Sequence, residues 1–142
     1  MGLMHLALAQ APVVLGDIEK NIEIMEKLIK DAQSKCNKKL DLIAFPELFI
    51  TGYNLRDNYN KVAEMIPSSS KAQNGIEKLA KKYKVHIATG IVEKAGKALF
   101  NSAILIGPKG YIGHYRKQFL PNFGPFEEKM FFGEGNQTPV FD

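Results

Sequence analysis

The chain has 142 residues, 45% hydrophobic and 24% charged, with a net charge of +4, a balance that describes one globular unit and excludes a disordered or fibrous chain. No apolar run approaches the roughly 18 residues that span a bilayer, and a single cysteine, Cys36, excludes an internal disulfide and a cysteine-rich zinc site. The lysines of "KCNKK" and "KLAKKYK" lack aromatic interleaving or a nucleic-acid motif, so they read as solvated helix faces and no nucleic-acid partner is expected.

The start, "MGLMHLALAQAPVVLGDIEKN", has no basic segment ahead of its apolar run and no small-residue cleavage site, and its sixth residue is not the Ser or Thr of a myristoylation signal. It reads as a strand over 4–11, closed by Pro12 and the "LGD" turn, in a cytoplasmic protein without a membrane partner. Asp17 is placed to cap a helix from Ile18 to about Cys36, because Ile22, Ile24, Met25, Leu28, Ile29 and Ala32 recur at helical spacing. "LDLIAF", residues 40–45, is a short apolar run before Pro46 and suits a buried parallel strand. Residues 51–60 read as a loop leading to a short helix near Val62–Met65.

Ser70 caps a second expected helix with Ile76, Leu79, Ala80 and Tyr83 inward, and "VHIATGIVEK" follows as a strand. Two strand-helix-strand units in succession imply a parallel core. "ALFNSAILIGPKGYIGHYRK" reads as two strands joined at "GPKG" that extend the sheet. The remainder, "QFLPNFGPFEEKMFFGEGNQTPVFD", is aromatic and rich in Gly and Pro, a functional loop that ends as another strand begins. There are no internal repeats or linkers. The glycosylation acceptor "NQT" at Asn136 carries little meaning in a cytoplasmic protein.

Two residues stand out as chemistry. Glu47 follows a buried strand, Lys117 ends another, and ligands of α/β sheets gather at the carboxyl ends of strands. Neighbouring strands of the parallel core would set the two side by side, where burial could tune a base and an electrostatic stabiliser. An ordinary strand-end ion pair answers the same pattern, and the residues alone leave both readings open. His5, His86 and His114 fall in or beside strands as core or edge histidines. Cys36 sits in a polar turn as a structural thiol, and no spacing makes a metal site. Glu127 and Glu128 are a solvated pair unless their aromatic surroundings turn one inward.

"LALAQAPVVLGDIEKNI", "DLIAFPELFITGY", "LFNSAILIGPKG" and "GHYRKQFLPNFGPFEEKMFF" together resemble the N-terminal half of the nitrilase superfamily of carbon–nitrogen hydrolases. The resemblance covers the whole chain. Within the superfamily, "KQFLPNFGPFEEKMFF" is most similar to the glutaminase domain of glutamine-dependent NAD synthetases, with Phe123 where that family often has Tyr. It implies an α/β fold, the N-terminal half of an α/β/β/α sandwich, with residues 1–142 the first portion of one carbon–nitrogen hydrolase domain. It further implies a Glu-Lys-Cys triad with Glu47 as general base, Lys117 as oxyanion stabiliser and Glu128 as the second glutamate held near the triad. Tyr53 and Phe123 would contact a small-molecule amide substrate, with no cofactor and no metal.

The family's nucleophilic cysteine would come after the strand that follows "TPVFD", so it is absent from this chain, and Cys36 precedes the glutamate on the wrong element. The resemblance thus implies an amidase or glutaminase whose isolated half is inactive. A catalytically silent interaction or assembly domain of the same fold is the alternative. A sheet with helices on one face would bury the other against a second copy or a complementary C-terminal fragment.

Overall fold

Side-chain alternation and the positions of proline decide where the strands stop. In the computed structural model, which describes residues 3–141, Leu6–Leu8 form β1, Leu42–Ala44 β2, His86–Ala95 β3, Ala98–Gly107 β4 and Gly110–Arg116 β5. They lie in one five-stranded sheet in chain order. β1, β2 and β3 run parallel, and β4 and β5 complete an antiparallel meander. Met1, Gly2 and Asp142 lie outside the described residues, and with them the first two residues of the N-terminal signal reading.

β1 is shorter than the expected 4–11. Its partner β2 offers only Leu42, Ile43 and Ala44, because Pro46 has no N–H for a ladder and restricts the residue before it. Further bonds close the pairing at both ends, from Ala9 N to the Ala44 carbonyl at 2.8 Å and from Asp41 N to the His5 carbonyl at 2.9 Å. The β4–β5 hairpin turns at "GPKG" as expected. Gly107 pairs Gly110, whose φ of +117° favours glycine.

α1 spans Ile18–Lys35 and α3 spans Lys71–Tyr83, each capped by its expected residue: Asp17 accepts from Lys20 N at 2.9 Å, and Ser70 Oγ from Gln73 N at 3.2 Å. Both pack on one face of the sheet. Met25 and Ile29 of α1 and Ile76 and Ala80 of α3 are fully buried with Ile43, Ile87, Ile91, Ile104 and Ile106 of the strands. Each of the Ile and Met side chains contributes about 1.5–3 kcal/mol. Asn21 is the polar exception in α1. It bonds Val14 N and O at 2.8 Å and the Ile50 carbonyl at 3.0 Å, tying the loops after β1 and β2 together.

The short helix expected near Val62–Met65 forms earlier. A 3-10 turn at Arg56–Asn58 leads into α2, Tyr59–Val62, because Tyr59 is buried against Phe131 and Phe132 and its hydroxyl bonds the Tyr53 carbonyl. The last loop was expected to end as another strand begins, and through residue 141 no such strand is formed. The chain from Glu128 instead makes the one-turn helix α4, Glu128–Phe131, then returns beside β5 with isolated bonds such as Gly135 N to the Lys117 carbonyl at 2.9 Å.

The strands before Glu47 and Lys117 are not neighbours, because β3 and β4 stand between β2 and β5. Sequence reasoning expected adjacency. The meander places the carboxyl ends of β2, β3 and β5 at one end of the sheet, and the side chains bridge the intervening width there. On the face opposite α1 and α3, a second cluster of Leu48, Tyr59, Val92, Leu99, Leu120 and Phe132 covers that same end. Leu6, Leu8 and Ala103 remain exposed farther down this face among the described residues.

Candidate active site

Glu47 stands out of an otherwise buried turn. Beyond Pro46, residues 47–50 fold back over β3, with Leu48, Phe49 and Ile50 wholly buried and the Glu47 side chain 46% exposed. The apolar residues that resume after Glu47 anchor the turn and leave the carboxylate as its projecting group. Two backbone features allow it. Leu48 takes φ of +47°, and Gly90 beneath has no side chain: a Cβ there would lie 2.0 Å from Leu48 N.

Lys117 follows β5 and is held by its own backbone, its N–H donating to the Asn101 carbonyl at 2.8 Å. Its Nζ donates to Glu47 Oε1 at 2.7 Å and to Glu128 Oε1 at 3.0 Å. Asn101 Nδ2 donates to the same Glu47 oxygen at 2.6 Å, and the Tyr53 hydroxyl to Glu128 Oε1 at 2.6 Å. Glu128 is 3% exposed, so one of the two adjacent glutamates is turned inward, and its Oε2 has no hydrogen-bond partner among the described residues.

The electrostatics follow from one ammonium between two carboxylates. Burial by itself pushes the Lys117 ammonium down, but the bonds and charges of Glu47 and Glu128 together outweigh it and hold the group above the ordinary lysine value. Lys117 is therefore a fixed cation at neutral pH. Burial first, and Glu128 second, push the Tyr53 phenol far up, so it remains a neutral donor.

Glu47, Lys117, Glu128 and Tyr53 thus form one connected network. Phe123 does not join it: 70% exposed, it stacks edge-on against Phe126 at 5.6 Å, and Phe126 in turn lies 6.4 Å from the Tyr53 ring. A cavity of about 260 Å³ opens beside the pair, lined by Phe45, Ala88, Gly90, Ala103 and Tyr115 with Glu47, Asn101 and Lys117 at its edge. Cys36 caps α1 at the end of the sheet where β2 begins, whereas Glu47 follows the end where β2 stops. Among the described residues no group of three His, Cys, Asp or Glu is placed to hold a metal ion, and no helix is long and apolar enough to cross a membrane.

Sequence reasoning missed Asn101, buried in the middle of "LFNSA". Its signal was a lone amide among apolar strand residues. Glu93, at the end of "VHIATGIVEK", was not singled out either, and it is 0% exposed. Arg116, His114 and Ser102 surround it on the helix-bearing face.

The family model described as carbon-nitrogen hydrolase matches residues 5–142. A nitrilase from Pyrococcus abyssi is 35% identical over 136 residues, covering 94% of this chain and 49% of that protein. A glutamine-dependent NAD(+) synthetase from Acinetobacter baylyi is 30% identical over 148 residues, covering all of this chain and 25% of that protein. Among solved structures, the glutamine-dependent NAD+ synthetase of Acinetobacter baumannii superposes with a TM-score of 0.77 at 29% identity, covering 96% of this chain and 25% of that one. A nitrilase-superfamily member from Saccharomyces cerevisiae gives 0.84 at 23% identity, covering 98% and 51%, and shares the fold. The chain therefore spans about half the length of its nitrilase relatives and about a quarter of the synthetases. With the family model matching nearly every residue and the sheet superposing on solved members, this chain belongs to the carbon–nitrogen hydrolase family and covers the N-terminal half of its fold.

Proposed function

We propose that this chain supplies the acid–base and electrostatic half of a site that hydrolyses a non-peptide carboxamide, the side-chain amide of glutamine being the first candidate. The observation that carries the reading is the ammonium of Lys117 held by both Glu47 and Glu128 at the carboxyl end of the sheet. Similarity to glutamine-dependent NAD(+) synthetases along the whole chain favours glutamine.

Among the described residues both donors to Glu47 fall on Oε1, which makes Oε2 the oxygen that takes a proton. Glu47 takes it from a thiol, and the thiolate attacks the amide carbon. The carbonyl oxygen becomes an oxyanion that the Lys117 ammonium stabilises, an interaction strongest in the transition state. Glu47 returns the proton to the departing nitrogen, the C–N bond breaks, and ammonia leaves a thioester. Water, deprotonated by Glu47, attacks that thioester and releases the carboxylic acid and the thiol. Glu128, fixed by Tyr53, holds Lys117 in place throughout; Phe123 and its aromatic neighbours form the outer wall that meets the substrate.

The only cysteine in the sequence, Cys36, lies at the wrong end of the sheet, so the thiol comes from residues outside these 142. The chain alone is inactive on this reading. It works in the cytoplasm, joined to a complementary C-terminal half or assembled with copies of itself. The test is ammonia release from glutamine and simple amides by the chain alone and mixed with a cysteine-bearing complementary half. The expected result is none alone, and release on complementation that Glu47→Gln and Lys117→Met abolish. Release by the chain alone that survives Cys36→Ala and is lost in Glu47→Gln would overturn the assignment of the thiol.

A further inference from the structure

The far side of the sheet from Glu47 holds a carboxylate the mechanism does not use. Glu93 of β3 is wholly buried, accepting from Ser102 Oγ at 2.6 Å and from Arg116 Nε at 3.0 and 3.1 Å, with a further bond from Arg116 Nη2. His114 Nε2 stands 3.6 Å away, its Nδ1 bonded to the Tyr111 hydroxyl at 2.6 Å, and the Arg116 guanidinium lies over the Phe100 ring at 4.1 Å.

Ser102 and Arg116 are paired across β4 and β5, and strand side chains alternate between faces. The next residue along each strand, Asn101 and Lys117, therefore faces the other way. Those are the two residues that donate to Glu47 Oε1. One carboxylate behind the sheet grips the chain neighbours of both residues that grip Glu47 in front.

We infer that Glu93 is a positioning residue for the candidate site, acting through Ser102 and Arg116 to fix Asn101 and Lys117 on a single oxygen of Glu47. The inference rests on reading Glu47 and Lys117 as the catalytic pair. A buried ion pair is a poor way to gain stability, since apolar residues of the same volume commonly serve as well or better. What apolar residues would not supply is directed bonds to two strands at the point where both must converge. Placement matters at this scale, because errors of about 1 Å in a reacting group cost on the order of a hundredfold in rate.

The test reads Lys117 directly in the full chain by 15N NMR of lysine Nζ, assigned through the signal lost in Lys117→Arg. Glu93→Gln, Ser102→Ala and Arg116→Lys are compared with Ile76→Val, a core change away from the cluster, and urea unfolding is measured for each. Among variants that unfold cooperatively, those in the cluster should lower the Lys117 titration midpoint towards the ordinary lysine value, while Ile76→Val leaves it unmoved at comparable stability loss. In the complemented enzyme the same cluster variants should lower kcat about tenfold with KM unchanged. An unmoved Lys117 midpoint in all three cluster variants, or an equal shift in Ile76→Val, would overturn the inference. Absence of hydrolysis by the complemented wild type would instead overturn the functional reading, and the NMR comparison would still decide the positioning role.

Discussion

Lys117 Nζ and Glu47 Oε1 are 2.7 Å apart although two whole strands, β3 and β4, separate the strands that precede them. The contact closes because the turn after β2 reaches over Gly90 and because Asn101, from β4 in between, takes the same oxygen. Each part of that bridge has a measurable consequence.

The first concerns pH. Lys117 is held above its ordinary value, so its contribution is present below about pH 10.5 and is lost as pH rises through the folded-state value. Tyr53, also raised, loses its contribution in the same direction, from about pH 10 upward. Urea midpoints between about pH 9 and pH 11 should fall more steeply in the wild type than in Lys117→Met, with Tyr53→Phe separating the phenol's share. Parallel curves for wild type and Lys117→Met would show that the ammonium is not coupled to folding.

The second concerns Gly90. A methyl group there meets the backbone of Leu48 and Glu47 and not the end of a flexible side chain, so Gly90→Ala should cost about 1–3 kcal/mol, the usual range for overpacking. Because the turn must lift, the same variant should also return the Lys117 ammonium towards its ordinary lysine value. A stability loss with the Lys117 titration unchanged would mean the turn and the pair are independent.

A third lies far from the site, where Glu26 of α1 meets α3. Hydrogen bonds from Lys82 and Tyr83, each 2.7 Å, pull its carboxyl down to about 2. The pair's stabilisation is thus present above the ordinary carboxylate range and is lost as pH falls towards 2. Glu26→Gln should flatten the acid limb of the urea midpoint profile. The side chain is 28% exposed, so the effect should shrink in high salt. An acid limb identical in wild type and variant would remove Glu26 from the account.

The fourth concerns the sheet face opposite the helices. Leu8 is 79% exposed and Leu6 52% exposed there. Apolar surface of that kind marks an interface when it is contiguous. Sedimentation should show mass rising with concentration, or binding of a complementary half, and Leu8→Lys should weaken either one along with hydrophobic-dye binding. A concentration-independent monomer that binds no dye would remove the interface.

Residues close in sequence carried most of the local structure. The helical spacing and caps at Asp17 and Ser70 were legible because each involves contacts within a few positions, and the "GPKG" turn because its residues suit a tight bend. Glu47 and Lys117 were legible as strand-end charges, and the "FPEL" and "YRK" motifs marked the family. The burial of Glu93 was not legible, because a glutamate before a lysine reads as solvated until its partners at 102, 114 and 116 arrive from other strands.

The sequence by itself determined the two long helices, the five strand segments and the family to which their motifs belong, since backbone propensity and side-chain period act along the chain, but not the bounds of β1 or the short helices α2 and α4. Only the tertiary structure decided that Glu47, Asn101, Lys117, Glu128 and Tyr53 form one network. Those residues span 82 positions, counting from Glu47 to Glu128, and their meeting depends on the sheet order and on the missing side chain at Gly90. Hydrogen bonds of about 2.7 Å depend on where the backbone stands in space, which no periodicity along the chain encodes.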